Sequence, residues 1–193
     1  FISREAIGHI LNSSVLIFLL IVGVVYVFVN YVIEKYVTNG EEPDWDDEKW
    51  KTYEKVNNCY AYAFDNLKKR DAKPQPDNQN PDTYNCSDLE KWIRRDLVDS
   101  NGKKFEFHKG YFDEPCPLGT HKIYMVHSGD DYHFYRLDSD NRWSHKPGST
   151  PVSRVDADDK EIIDPSRANH HYENHNYNTS CGFYCVPKIK ERF

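Results

Sequence analysis

The order of apolar and polar positions divides the chain into two unlike parts. Residues 15–29 read VLIFLLIVGVVYVFV without a polar interruption. With Ile10 and Leu11 before the run and Ile33 after it, the stretch approaches the roughly 20 residues that a helix needs to cross a bilayer. The pattern therefore predicts one transmembrane helix over about residues 10–33, within an anchor at 1–35. A cleaved leader fits less well, because its apolar core would be about 7–15 residues long and would end at small residues. Arg4 and Lys35 flank the run, each beside an acidic residue, so charge gives no orientation.

After the apolar run comes TNGEEPDWDDEKW, whose glycine, proline and six carboxylates predict a solvated tether over 36–50. A globular domain is expected over 51–193. Its first helix starts at Asn57 or Asn58, either of which can cap the first turn, and runs through Tyr60, Ala61, Ala63, Phe64 and Leu67. The polar stretch that follows, with three prolines, reads as a surface loop. A second helix is signalled by the Ser87–Glu90 capping box and by Leu89, Trp92, Ile93 and Leu97 at helical spacing. Strand patterns then occupy 104–108, 122–127, 132–137 and 142–145. Short strands after helices make this an α+β domain.

The last two strands are joined by DSDN, and a three-residue loop with Asn141 in the left-handed region places Asp138 opposite Arg142. In that register His133, Tyr135, Trp143 and His145 share one face of the sheet. Cys59, in the first helical turn, has the position at which a helix terminus favours a thiolate. A thiol, an imidazole base and an orienting group would together form a nucleophilic site, with Cys59, His133 and His145 in those roles.

Charge and composition narrow the partners. A formal net charge of −6, with 25 Lys and Arg scattered rather than striped, argues against nucleic acid. Cys59 is the odd cysteine, since Cys86, Cys116, Cys181 and Cys185 could form two disulfides by any of three pairings in an oxidising space. Cys181 and Cys185 with His170, His171 and His175 could instead hold zinc, but their spacing matches no common finger, and the histidines read as a solvated loop. DSDNRW and DADDKE lack the glycine and terminal glutamate of a calcium loop and read as turns. The expectation is no metal and no cofactor.

Three blocks, Asn-Asn-Cys-Tyr-Ala-Tyr-Ala, Asp-Tyr-His-Phe-Tyr-Arg and Trp-Ser-His-Lys-Pro-Gly, resemble the papain-like superfamily in its compact NlpC-type and CHAP forms. The resemblance spans roughly residues 57–186. It implies a cysteine at the start of a helix packed on an antiparallel sheet, a base histidine on a strand and a polar third residue on the next; Cys59, His133 and His145 take those places. The oxyanion donor stays open among Asn57, Asn58, Tyr53 and the backbone amide of Cys59. The substrate does not carry over from the resemblance; the activity expected is a membrane-anchored thiol hydrolase, with a peptide or cell-wall amide as the bond it would cleave. The alternative is a catalytically silent protein tethering a membrane to a larger assembly, such as a minor capsid protein in the virion of a large virus with an internal membrane.

Overall fold

The computed structural model describes residues 15–29, 38–98 and 101–188. The chain falls into two units, Phe1–Tyr36 and Val37–Phe193.

In the first unit, residues 15–29 form helix α1 with its side chains exposed. Fifteen residues rise about 22 Å, against about 30 Å for a hydrocarbon core. Among the described residues no helix is long and apolar enough to cross a membrane. This overturns the expected span over residues 10–33, and with it the single-pass membrane localisation. The remaining positions of that span, 10–14 and 30–33, lie outside the described residues.

The second unit begins earlier than the composition suggests. The Asn39 amide donates to the carbonyls of Cys116, Pro117 and Thr120 at 2.8, 2.9 and 2.8 Å, and Glu42 is buried. Helix α2, Asp47–Lys51, is capped by Asp46, which accepts from the Lys49 amide, and it carries Trp50 onto the edge of Tyr62. The acidic run from Asn39 onward is thus packed rather than a free tether. A few anchors in a polar background suffice to fix it.

Helix α3, Cys59–Ala63, starts at Asn58, whose side chain accepts from the Ala61 amide at 3.2 Å. It stops short of Leu67 because Asp65 enters the left-handed region (φ 50) and the Asn66 amide turns back to the Ala61 carbonyl at 2.9 Å. Helix α4, Cys86–Asp96, is capped by Asn85 rather than by Ser87. Asn85 accepts from the Asp88 amide at 2.9 Å, while Leu89, Trp92 and Ile93 form the buried stripe.

Five strands form one antiparallel sheet: β1 (His108–Lys109), β2 (Thr120–His127), β3 (Tyr132–Leu137), β4 (Trp143–His145) and β5 (Thr179–Pro187), in the order β1-β5-β2-β3-β4. The hairpin β3–β4 has the expected register, with Tyr135 opposite His145, Leu137 opposite Trp143, and Asn141 at φ 61. Sequence reasoning did not foresee β5, which lies inside the sheet. There Met125 pairs with Gly182 and Val126 with Ser180, so Cys181 bulges out beside Gly182 at φ 102. That strand also receives both disulfides, Cys86–Cys181 from α4 and Cys116–Cys185 from the turn before β2.

Side-chain parity gives the sheet two different faces. Tyr132 and Phe134 join Tyr60, Phe64, Leu89 and Ile93 in a core under the helices. On the other face Tyr135 and Leu137 pack with Tyr124, Val126, Trp143 and Ile162, covered by the chain around Tyr172 and Tyr177.

Candidate active site

Cys59 occupies the first turn of α3, is buried, and is the cysteine outside the two disulfides. Its thiol donates to the backbone carbonyl of Tyr132 at 3.8 Å. Burial pushes the thiol pKa up to about 12, with the Asp131 carboxylate acting in the same direction. The backbone amides of Phe134 and Tyr60, and the Lys146 ammonium, oppose this more weakly. Lys146 is itself held by the carbonyls of Glu54, Gly148 and Thr150 at 2.9, 2.8 and 2.8 Å, and desolvation lowers its pKa to about 8. At neutral pH the resting cysteine is therefore a thiol.

His133 lies on the opposite face of β3 from Tyr132 and Phe134, stacked on Tyr177 with ring centroids 5.3 Å apart. Its Nε2 meets Nδ1 of His145 at 2.8 Å, and His145 Nε2 meets the Val155 carbonyl at 2.9 Å. These two contacts fix both tautomers. A carbonyl can only accept, so His145 carries its proton on Nε2 and leaves Nδ1 as an acceptor. His133 must then donate from Nε2, which leaves Nδ1 as its basic nitrogen. Burial holds both rings neutral: it lowers the His145 pKa to about 4, and takes His133 well below the usual histidine range, with the nearby His145 next in effect. The site thus has a base with a free lone pair and a partner that holds it in that tautomer.

The structure joins His133 to His145 by hydrogen bond, but it does not join Cys59 to His133 in that way. The two meet at the open stretch of β3 beyond the end of β4, where both line a pocket of about 140 Å³ with Asn58, Lys73, Gln75, Asp131, Tyr132, Gly148 and Tyr177. Cys59 thus comes from the helical face and His133 from the opposite one, so the expectation from the hairpin register that His133 would face Cys59 is not met: Tyr132 and Phe134, not His133, point toward the helix.

Several contributors escaped the sequence reading. Tyr177 stacks on His133 and donates to Asp131 at 2.7 Å, and Tyr135 stacks on His145 while its hydroxyl meets that of Tyr172 at 3.1 Å. Tyr172 and Tyr177 lie in the histidine-rich segment taken for a solvated loop. The alternation of tyrosine with histidine there was the available signal. The zinc alternative is not assembled: Cys181 and Cys185 are both in disulfides, and His171 is exposed. His127 lies near the Cys86–Cys181 sulfurs, but these are bonded to each other. The acidic turns are satisfied by protein donors, with Asp140 on Arg154 at 2.8 Å and Asp158 on Asn169 at 2.7 Å.

No protein-family model matches the chain, and no solved structure matches it. Insoluble matrix shell protein 1 of Ruditapes philippinarum is 50% identical to it over 44 residues. That stretch is 23% of this chain and 30% of the shell protein's length.

Proposed function

We propose that the Val37–Phe193 unit is a papain-like thiol hydrolase acting on an amide bond of a peptide or cell-wall peptide, with Cys59 as nucleophile, His133 as base and His145 as the residue that orients it. The carrying observation is the tautomer relay from Val155 through His145 to His133, which leaves Nδ1 as the acceptor nitrogen of a residue that lines one pocket with Cys59. Because thiol and imidazole are both neutral at rest, the reaction begins with proton transfer during attack. The Sγ–C bond forms as the thiol proton passes to His133 Nδ1 and the carbonyl π pair moves to oxygen. Collapse expels the amine, which takes the proton from Nδ1, and water then hydrolyses the thioester.

The test is the rate of alkylation of Cys59 by iodoacetamide at pH 7 in the wild type, His133→Gln and His145→Ala, alongside hydrolysis of peptide and muramyl-peptide amides. With the other cysteines in disulfides, labelling reports Cys59 alone. A base in contact with the thiol makes alkylation fall by about 100-fold in His133→Gln, in line with general-base effects of 10²–10⁴, and by less in His145→Ala. Equal rates in all three proteins would refute the reading.

A second reading is a non-catalytic structural constituent of an insoluble extracellular assembly. The half-identical match to a protein named for an insoluble shell matrix favours it, and two disulfides suit such a setting. Under this reading no amide is cleaved, and wild type and Cys59→Ala enter the insoluble fraction of a reconstituted matrix equally.

A further inference from the structure

The pocket lined by Cys59 and His133 holds one charge that nothing in the protein takes up. Its carboxylate, Asp131, already accepts from the Tyr177 hydroxyl at 2.7 Å, and His175 Nε2 stands 3.6 Å from the same oxygen. The ammonium of Lys146, nearby, is saturated by the carbonyls of Glu54, Gly148 and Thr150. Lys73 differs from both. It lines the pocket, and among the described residues no carboxylate lies within ion-pair distance of it.

Lys73 is exposed, yet the chain that carries it is pinned to the site. The Pro74 carbonyl accepts from Asn58 Nδ2 at 2.8 Å, and Gln75 Oε1 accepts from the Tyr132 hydroxyl. The lysine Nζ lies over Gly148, 3.9 Å from where a β-carbon at that residue would stand. An exposed side chain that lines a pocket belongs to its mouth, so this ammonium meets a ligand as it enters. A compact point charge there attracts a carboxylate and gains nothing from a neutral group of the same shape.

We infer that Lys73 is a specificity-determining residue that selects substrates with a carboxylate beside the scissile amide, such as a peptide bond on the carboxyl side of an aspartate. The inference rests on the thiol-hydrolase reading. No bond forms or breaks at Lys73; it draws in the carboxylate and so places the neighbouring carbonyl at Cys59.

Two pairs of probes test this. Iodoacetate and iodoacetamide both lose iodide to the Cys59 sulfur and differ in a carboxylate for an amide, so the ratio of their rates reports charge in the pocket without requiring turnover. That ratio is expected to fall about fivefold in Lys73→Met, the upper end for a partly exposed ion pair, and further in Lys73→Glu. In the wild type it should fall with added salt. The second pair, acetyl-Asp- and acetyl-Asn-4-nitroanilide, is nearly isosteric. Wild-type kcat/KM should favour the aspartyl compound by about fivefold, with the preference lost in Lys73→Met and reversed in Lys73→Glu. A reagent ratio that is the same in all three proteins overturns the role of Lys73, while His133-dependent alkylation keeps the hydrolase reading. Equal kcat/KM for the two anilides in the wild type, or cleavage of neither, overturns the substrate class. Alkylation that does not depend on His133 removes the hydrolase reading, and the substrate class falls with it.

Discussion

The two faces of strand β3 use the same backbone for different ends. On the helical face Arg136 is fully buried, with its guanidinium on Asp138 at 2.8 Å, the Tyr62 carbonyl at 3.1 Å and the ring of Tyr62 at 3.8 Å. On the other face His133 and Tyr135 belong to a layer of stacked tyrosines and histidines in which buried rings are tuned as donors or acceptors. The first face is held by charge pairing and apolar packing. The second is held by hydrogen bonds whose direction depends on which nitrogen carries a proton. Cys59 from one face and His133 from the other line one pocket beside the stretch of β3 that runs on past its neighbour β4. Stability and chemistry should therefore separate by face.

The largest expected effect tests the helical face. Arg136→Ala leaves Asp138 buried with one partner fewer, Arg154 at 3.4 Å, and should cost about 3–5 kcal/mol, the range for breaking a buried ion pair. Urea unfolding would measure it. A loss below about 1 kcal/mol would show that this face does not carry the fold.

The next effect sharpens the contrast through pH. His145, with its pKa lowered to about 4, and His121, lowered to about 3, are buried as neutral rings, one on each face of the sheet. His121 donates to the Ala63 carbonyl at 2.6 Å on the helical side. For a base whose folded pKa lies below its unfolded value, the unfolded chain binds more protons. The stabilisation is complete above about pH 6.5 and is lost as pH falls from there through the folded pKa. Each ring contributes on the order of 3 kcal/mol across that window, at about 1.4 kcal/mol per pKa unit. Unfolding free energy measured from pH 7 to pH 4 should fall steeply, and His121→Gln should flatten the curve without altering the pH dependence of Cys59 alkylation. His145→Ala should alter both. Identical effects of the two variants on alkylation would erase the distinction between faces.

How much of this was legible in the sequence follows from what kind of signal each part leaves. Helix starts and the β3–β4 hairpin are local, written in Asn58 and in DSDN, so the pairing of His133 with His145 could be anticipated from parity alone. Strand β5 was not legible because its bulge at Cys181–Gly182 breaks the alternation, and because its cysteines looked like a separate motif. The packed segment 39–50 was hidden for a related reason: Asn39, Glu42 and Trp50 are three long-range anchors among solvated carboxylates. The apolar run misled in the other direction. Hydropathy alone suggested a span, whereas the described helix over 15–29 is too short to make one.

The smallest effect separates ring from hydroxyl at Tyr177, where the two faces meet. Its ring lies against His133, and its hydroxyl donates to Asp131, a carboxylate that also lines the pocket and helps keep the thiol protonated. Tyr177→Phe removes only the hydrogen bond. Because Asp131 is partly exposed and water can replace the donor, the cost should be about 0.5–1.5 kcal/mol of stability. Alkylation of Cys59 should stay within about threefold of wild type, since the stacked ring is kept. Tyr177→Ala removes the surface that holds the His133 ring, and there the rate should fall by about tenfold, a loss of positioning rather than of the base itself. If Tyr177→Phe slows alkylation as much as Tyr177→Ala does, the hydroxyl and its carboxylate govern the site, and Asp131 must then be counted with His145 among the groups that set the proton on His133.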